Sequence, residues 1–202
     1  MRKITALLLF ITASSFAQQD KDNYIAFTAG FDVRNAIVGS TPTADEPALN
    51  YQLQFAMVSN NIEVNLGYEA FPRIDYDRYH IGVGYHFHLY GYALGKALHT
   101  TFIPTLEPSL IGRHGTWGGG LSYNQTSSHL SVGLSLAFRW NINDNLSFGY
   151  RFNALPRTDL SAMYGEMSTR DRASIAGIGI VGSNFLDLTY RLDLTKGSAK
   201  RY

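Results

Sequence analysis

The 202-residue sequence contains no cysteine and very little lysine, which occurs only as Lys3, Lys21, Lys96, Lys196 and Lys200. Without cysteine there is no disulfide framework, no thiolate metal site and no cysteine nucleophile. Charged residues make up 16% of the chain and the net charge is +1, so no basic field or cluster offers a groove to a nucleic-acid backbone. Long apolar runs are missing too. The stretch Ile4–Thr12 is about half of the roughly 20 residues that a membrane-spanning helix requires, and nothing after it comes closer.

That short run has a telling context. Arg2 and Lys3 precede it, and Ala13 and Ser14 lead to Ser15-Phe16-Ala17, with small side chains at the two positions a signal peptidase reads. Residues 1–17 are expected to be a cleaved signal peptide, with the mature chain starting at Gln18. What remains suits one domain.

Aromatic residues and glycine are abundant: 13 Tyr, 12 Phe and 19 Gly. From Asn23 onward they fall into alternation of period two, the mark of strands with one apolar face. Ile25, Phe27, Ala29, Phe31 and Val33 oppose Ala26, Thr28, Gly30 and Asp32. Leu49, Tyr51, Leu53, Phe55 and Met57 oppose Asn50, Gln52 and Gln54, and Ile62, Val64, Leu66 and Tyr68 oppose Glu63, Asn65, Gly67 and Glu69. The stretch from Tyr79 to Leu89 opposes His80, Gly82, Gly84, His86 and His88. Later runs repeat the pattern over 130–140, 146–152 and 186–194.

Alternation alone does not separate a membrane barrel from a soluble sandwich. The polar face decides. It holds Gly, Ala, Ser and Asn with a few Arg, Glu, Asp and His, and none of these runs contains lysine, whereas a face turned to water would be rich in Lys, Glu and Thr. Small residues beside paired charges suit a narrow lumen, and about eight strands leave an interior that side chains just fill. The turns Ser59-Asn60-Asn61 and Asn143-Asp144-Asn145 alternate with long polar links at Arg34–Ala48, His114–Ser127 and Pro156–Arg172. That asymmetry places both termini in the periplasm.

Two segments are less regular. Pro104 and Pro108 cannot donate to a ladder, so the membrane part of their strand is expected to run from about Thr105 to Arg113. Ala173–Leu194 is long for one strand, and Gly182-Ser183-Asn184 offers a bulge or a turn. Splitting both would give ten strands but spoil the loop asymmetry. The expected fold is therefore all-β: an eight-stranded antiparallel up-and-down transmembrane β-barrel over residues 18–194, with 195–202 as a short periplasmic tail.

The leader, the alternating strands and the closing run from Phe185 to Leu194 resemble the small outer-membrane β-barrel proteins of the OmpA/OmpX type. With Pro108-Ser109-Leu110, the style is similar to those of Bacteroidota. The resemblance implies an outer-membrane location in a Gram-negative envelope. Barrels of this type stop at an aromatic residue, and the basic tail Thr195–Tyr202 departs from that.

Three sets of residues are candidates for function. Glu63, Glu69, Glu107, Asp187 and Asp193 share the inward face with Arg139, Arg151, Arg191 and Arg113, a near balance that a buried network needs; they are read as a salt-bridged plug. His86 and His88 are neighbours on one face and would ligate a metal only with a third group such as His99 or Glu69; packing is the preferred reading, and neither metal nor cofactor is expected. Trp117, Tyr123, Arg157, Tyr164, Arg170 and Arg172 lie in the long links and are of the types that anchor interfaces. Gly118-Gly119-Gly120 lacks the strand-to-helix context of a phosphate loop.

His129-Leu130-Ser131 is the one pair that suggests catalysis. It is similar to the His-x-Ser pair of PagL-type lipid A deacylases, but the next strand offers Arg151 and Asn153 and no acid to orient the base. The leading expectation is a non-enzymatic barrel with a closed, charge-paired lumen, contacting outer-membrane lipid and other envelope proteins through its loops. An outer-leaflet lipid-modifying enzyme using His129 and Ser131 is the second reading, and a small transport pore the third.

Overall fold

The computed structural model describes residues 22–39, 46–74, 76–93, 96–113, 127–156, 173–175 and 178–194. Eight strands form the wall: β1 (Asn23–Asp32), β2 (Tyr51–Ser59), β3 (Ile62–Phe71), β4 (Tyr76–Tyr85), β6 (Lys96–Arg113), β7 (Ser127–Asn141), β8 (Leu146–Pro156) and β10 (Ile178–Asp193). Each pairs antiparallel with its neighbours, and β10 closes onto β1 from Tyr24↔Asp193 to Asp32↔Phe185. This is an eight-stranded antiparallel up-and-down closed β-barrel. Closure removes the exposed edges that an open sheet of this composition would present. β5 (Phe87–Ala93) continues β4 past His86 and pairs with β6 alone, and β9 (Ala173–Ile175) folds back on the start of β10. Among the described residues no helix is long and apolar enough to cross a membrane.

Both described chain ends lie at one rim, where Leu194 N donates to Asn23 O at 3.2 Å. The tight turns gather at the same rim. At Asn60 and Asn61 φ is 49° and 68°, the left-handed pair that a two-residue hairpin needs and that Asn tolerates. At the other rim β1 ends on Asp32, whose Oδ1 accepts from Asn35 N at 2.9 Å and caps the short helix α1 (Val33–Ile37). Val33, expected to end the first strand, thus opens a helix because the Asp32 side chain offers the backbone a cap there.

The fifth wall strand, β6, is longer than its expected membrane part of Thr105–Arg113. It is continuous from Lys96 to Arg113 with both prolines inside it. The ladder to β7 runs unbroken from Thr100↔Trp140 to Arg113↔Ser127, so the missing donors fall on the β4 side. There the pairing lapses at Ile81 and Gly82, across from Pro108, and again at Tyr85 and His86, across from Pro104. No turn interrupts β10 at Gly182-Ser183-Asn184, since its register with β8 is constant from Ile180↔Pro156 to Tyr190↔Leu146.

The barrel is inside out relative to a water-soluble protein. Leu53, Leu66, Ile81, Val83, Leu106, Val132 and Leu188 point outward and are about half exposed, while Glu63, Glu107 and Asn65 are buried. Aromatic rings band the outer wall near the terminus-bearing rim. Tyr85 lies 4.8 Å from Phe87, Phe102 5.0 Å from Phe138, and Trp140 6.2 Å from Phe148. Toward the other rim Tyr68 and Tyr79 pair at 4.9 Å. With β1, β3 and β4 each 10 residues long, a wall tilted as such strands are stands about 25 Å tall.

Candidate functional site: a sealed polar lumen

Because successive side chains of a strand alternate between faces, each wall strand delivers every second residue to the interior. These residues sort into two apolar ends and two ionic clusters. At the rim away from the termini, Phe71, Tyr76, Ile111 and Leu155 pack together. Tyr24, Ala26, Ala56 and Val58 do the same at the terminus-bearing end.

The larger ionic cluster centres on Arg78. Its guanidinium donates to Glu107 Oε2 at 2.6 Å, to Glu69 Oε2 at 3.2 Å and to Ser109 Oγ at 2.9 Å. Asn50 Nδ2 adds a bond to Glu69 Oε1 at 3.1 Å. Arg151 lies 3.9 Å from Glu107 Oε1 and donates through Nε to Asp187 Oδ2 at 2.8 Å. His80 faces the same Glu107 oxygen at 3.9 Å, and among the described residues neither of its ring nitrogens has a hydrogen-bond partner. Glycine makes the room on two strands. A Cβ on Gly67 would meet His80 Cε1 at 2.1 Å, and one on Gly30 would meet Asp187 Oδ1 at 2.2 Å.

The second cluster sits at the terminus-bearing end. His86 lies in the break between β4 and β5, and its backbone N donates to Asn61 O at 2.8 Å. Its Nδ1 is 2.7 Å from Asp22 Oδ2 and its Nε2 is 2.9 Å from Glu63 Oε2. Arg139 donates to Tyr24 OH at 3.0 Å and approaches Glu63 at 3.9 Å, while Asn65 Nδ2 donates to Glu63 Oε1 at 2.8 Å. Burial works against a charged His86, but the hydrogen bonds to Asp22 and Glu63 outweigh it and hold the imidazole above its usual range. Burial would likewise favour a neutral Asp22, and the bond and charge of His86, helped by His88 and Arg191, hold that carboxyl below its usual range.

Of the charged residues expected in the lumen, Glu63, Glu69, Glu107, Arg139, Arg151 and Asp187 meet in these clusters. Arg191 and Asp193 lie at the edge of the second, Arg191 beside Asp22. They keep the inward side of β10 but stand at its open end, where Arg191 is half-buried over the Tyr24 ring at 5.6 Å and donates to Asn143 O at 3.0 Å, and Asp193 is exposed. Alternation assigns a face and not a depth, and the strand outruns the sealed interior there. The side chain of Arg113 lies outside the described residues. The sequence reading overlooked Arg78 and Asp22. Extending the alternation from His80 by two residues finds Arg78; Asp22, one residue ahead of β1, leaves no such signal.

His86 and His88 are engaged by other side chains. Both nitrogens of His86 face carboxylates, and His88 Nδ1 lies 3.1 Å from His99 Nε2 with Asp22 Oδ2 3.5 Å from its other nitrogen. Glu69 belongs to the Arg78 cluster. Among the described residues no group of three or more His, Cys, Asp or Glu is arranged to hold a metal. On β7, Ser131 pairs with Ser109 of β6, while Arg151 and Asn153 of β8 lie opposite Ala137 and Ser135, further along β7. The His129 side chain, like Trp117, Tyr123, Arg157, Tyr164, Arg170 and Arg172, lies outside the described residues.

No protein-family model matches the chain, and no curated protein matches it by sequence. Solved structures do resemble it. The N-terminal β-barrel domain of Pseudomonas aeruginosa OprF is 10% identical with a TM-score of 0.50, over 86% of this chain and 100% of that one. Neisserial surface protein A is 14% identical with a TM-score of 0.46, over 85% of this chain and 96% of that one. At such identities the OprF likeness speaks to the fold alone.

Proposed function

We propose that this chain is an outer-membrane β-barrel with both termini in the periplasm, exported by a leader cleaved after Ala17. In this reading it is a structural or partner-binding element of a Gram-negative envelope rather than an enzyme or a pore. One observation carries it: an uncharged apolar belt, banded by aromatic rings, surrounds a lumen packed with buried polar side chains. Rings at two levels of an apolar wall suit the two interfaces of a bilayer. A lumen in which Glu63, Asn65, Arg78, Glu107, Arg139 and Arg151 are all buried argues against a continuous aqueous path. The remaining surface for partners is the set of long links, on a wall rigid enough to present them. The deacylase reading stays second: among the described residues of β8 no acid faces Ser131, and Arg151 and Asn153 stand opposite Ala137 and Ser135.

The test is expression with the native leader, followed by fractionation and surface proteolysis. The expected result is recovery in outer-membrane fragments, with cleavage in 114–126 or 157–172 from outside intact cells. A mature chain that stays in the supernatant without detergent overturns the membrane assignment. A changed lipid A acyl pattern on Ser131→Ala would reinstate the enzyme.

A further inference from the structure

Within the terminus-bearing cluster, His86 stands apart from the other buried histidine. Both of its nitrogens meet carboxylate oxygens, Asp22 at 2.7 Å and Glu63 at 2.9 Å. An ionised carboxylate only accepts hydrogen bonds, and a neutral imidazole has one N–H to give. Two such contacts at these lengths require the imidazolium, which donates from both nitrogens. The charges agree: Asp22 and Glu63 are matched by Arg139 and a protonated His86, so this cluster closes without an uncompensated buried charge.

The two acids belong to different parts of the chain. Glu63 is fixed on β3, inside the lumen. Asp22 is the residue ahead of β1, and its main chain is tied to Asn61 of the β2–β3 turn, with Asp22 N donating to Asn61 Oδ1 at 2.7 Å. His86 itself hangs from the same asparagine through its backbone N. We propose that His86 is a proton-held clasp, in which one bound proton ties the entry of the chain into β1 to the inner wall and so completes the closure of this end.

The titratable groups around the clasp are Tyr24 of β1 at 3.4 Å, Glu63 of β3 with Arg151 of β8 toward it, His88 of β5 with His99 of β6 at 3.1 Å behind it, Arg139 of β7, and Arg191 of β10 beside Asp22. Of these, Arg139 disfavours a second positive charge, but it is already engaged by Tyr24 and Glu63. Loss of the His86 proton leaves one nitrogen lone pair against a carboxylate, and Asp22, which stands outside the ladders, is the side that leaves. The clasp is therefore shut at neutral and mildly acidic pH and opens on the alkaline side.

The test uses the full mature chain folded in lipid nanodiscs, with hydrogen exchange at Asp22–Tyr24 followed from pH 6 to 10 and histidine nitrogen resonances recorded in parallel. The expected nitrogen signature of His86 at pH 7 is that of the doubly protonated ring. Exchange at Asp22–Tyr24, after correction for base catalysis of the amide itself, is expected to speed up by as much as tenfold per pH unit once the His86 proton begins to leave. Asp22→Asn lies outside the ladders and leaves the barrel folded. It is expected to shift the onset of opening to lower pH, since one of the two charges holding the proton is gone. A His86 ring in the neutral form at pH 7 overturns the clasp, and so does an opening whose pH dependence is unchanged in Asp22→Asn.

Discussion

Removing the Arg78 side chain tests whether the lumen is held by charge pairing or merely filled. Its guanidinium serves Glu107 at 2.6 Å, Glu69 at 3.2 Å and Ser109 at 2.9 Å, and all of these side chains are sealed from solvent. In Arg78→Met the stem is retained in volume, but two buried carboxylates lose their shared cation. Glu69 keeps only Asn50, and Glu107 keeps Arg151 and His80 at 3.9 Å. Breaking one buried pair costs about 3–5 kcal/mol, chiefly through the charge left behind. With a urea dependence of about 2 kcal/mol per molar, a 4 kcal/mol loss moves the midpoint down by about 2 M. The assay is urea unfolding from lipid vesicles, followed by tryptophan fluorescence and by the gel mobility of the folded barrel. The triple variant Arg78→Met, Glu69→Gln, Glu107→Gln supplies the control. It removes the stranded charges along with the cation, and most of the lost stability is expected to return. A single variant within about 0.5 kcal/mol of the parent would show that the network holds nothing. A triple variant as weak as the single one would show that packing, not charge, was lost.

Other expectations follow from the same geometry. Gly67→Ala forces a Cβ to within 2.1 Å of the His80 ring and is expected to cost about 1–3 kcal/mol, a loss that His80→Ala in the same chain relieves; equal instability of the single and double variants in the same urea titration would refute this. Leu66→Arg, on the outward face, is expected to lower stability in a bilayer by about 2–4 kcal/mol, and no loss on vesicle refolding would count against acyl chains as its surroundings. The Asp22–His86 pair sets a pH window: Asp22 contributes above its unfolded value near 4 and loses that as pH falls through its lowered folded value, whereas His86 contributes fully below about 6.5 and loses it as pH rises through its raised folded value. Stability measured against pH should therefore be flat between these values and fall on both sides, with the alkaline fall reduced in His86→Gln. Phe71→Ala with Tyr76→Ala empties one end of the lumen yet leaves Arg78 between Glu69 and Glu107, so planar-bilayer recordings should show no long-lived openings.

Much of the wall was legible because a strand in this setting has a two-letter alphabet. Every residue from Leu53 to Met57, or from Ile62 to Leu66, faces either a hydrocarbon-like exterior or a packed polar interior, and period two reads that choice directly. The eight-strand count followed from where the tight Asn turns fall. What local pattern could not supply is the partner of each inward residue. Arg139 meets Tyr24 across 115 positions, and Thr28 meets Thr189 across 161. These meetings depend on the register of every intervening hairpin, which a run of alternating residues leaves open.

Depth was the second quantity missing from the pattern. Arg191 and Asp193 alternate in phase with Asp187, yet only Asp187 reaches the Arg151 cluster. The stagger of a closed barrel shifts each strand along its neighbour, so equal parity on two strands says nothing of equal height. Strand ends were misjudged for a related reason. The fourth strand was read from Tyr79 and begins at Tyr76, with Arg78 inside it, since a lumen this polar accepts an arginine wherever two acids stand level with it. The same logic explains the prolines: a barrel strand has two neighbours, and β6 can forgo a donor toward β4 at Pro104 and Pro108 because its bonds to β7 are complete. In a closed polar interior a charged or ladder-breaking residue therefore does not mark the end of a strand, and only the pairing of the whole ring decides where each strand stops.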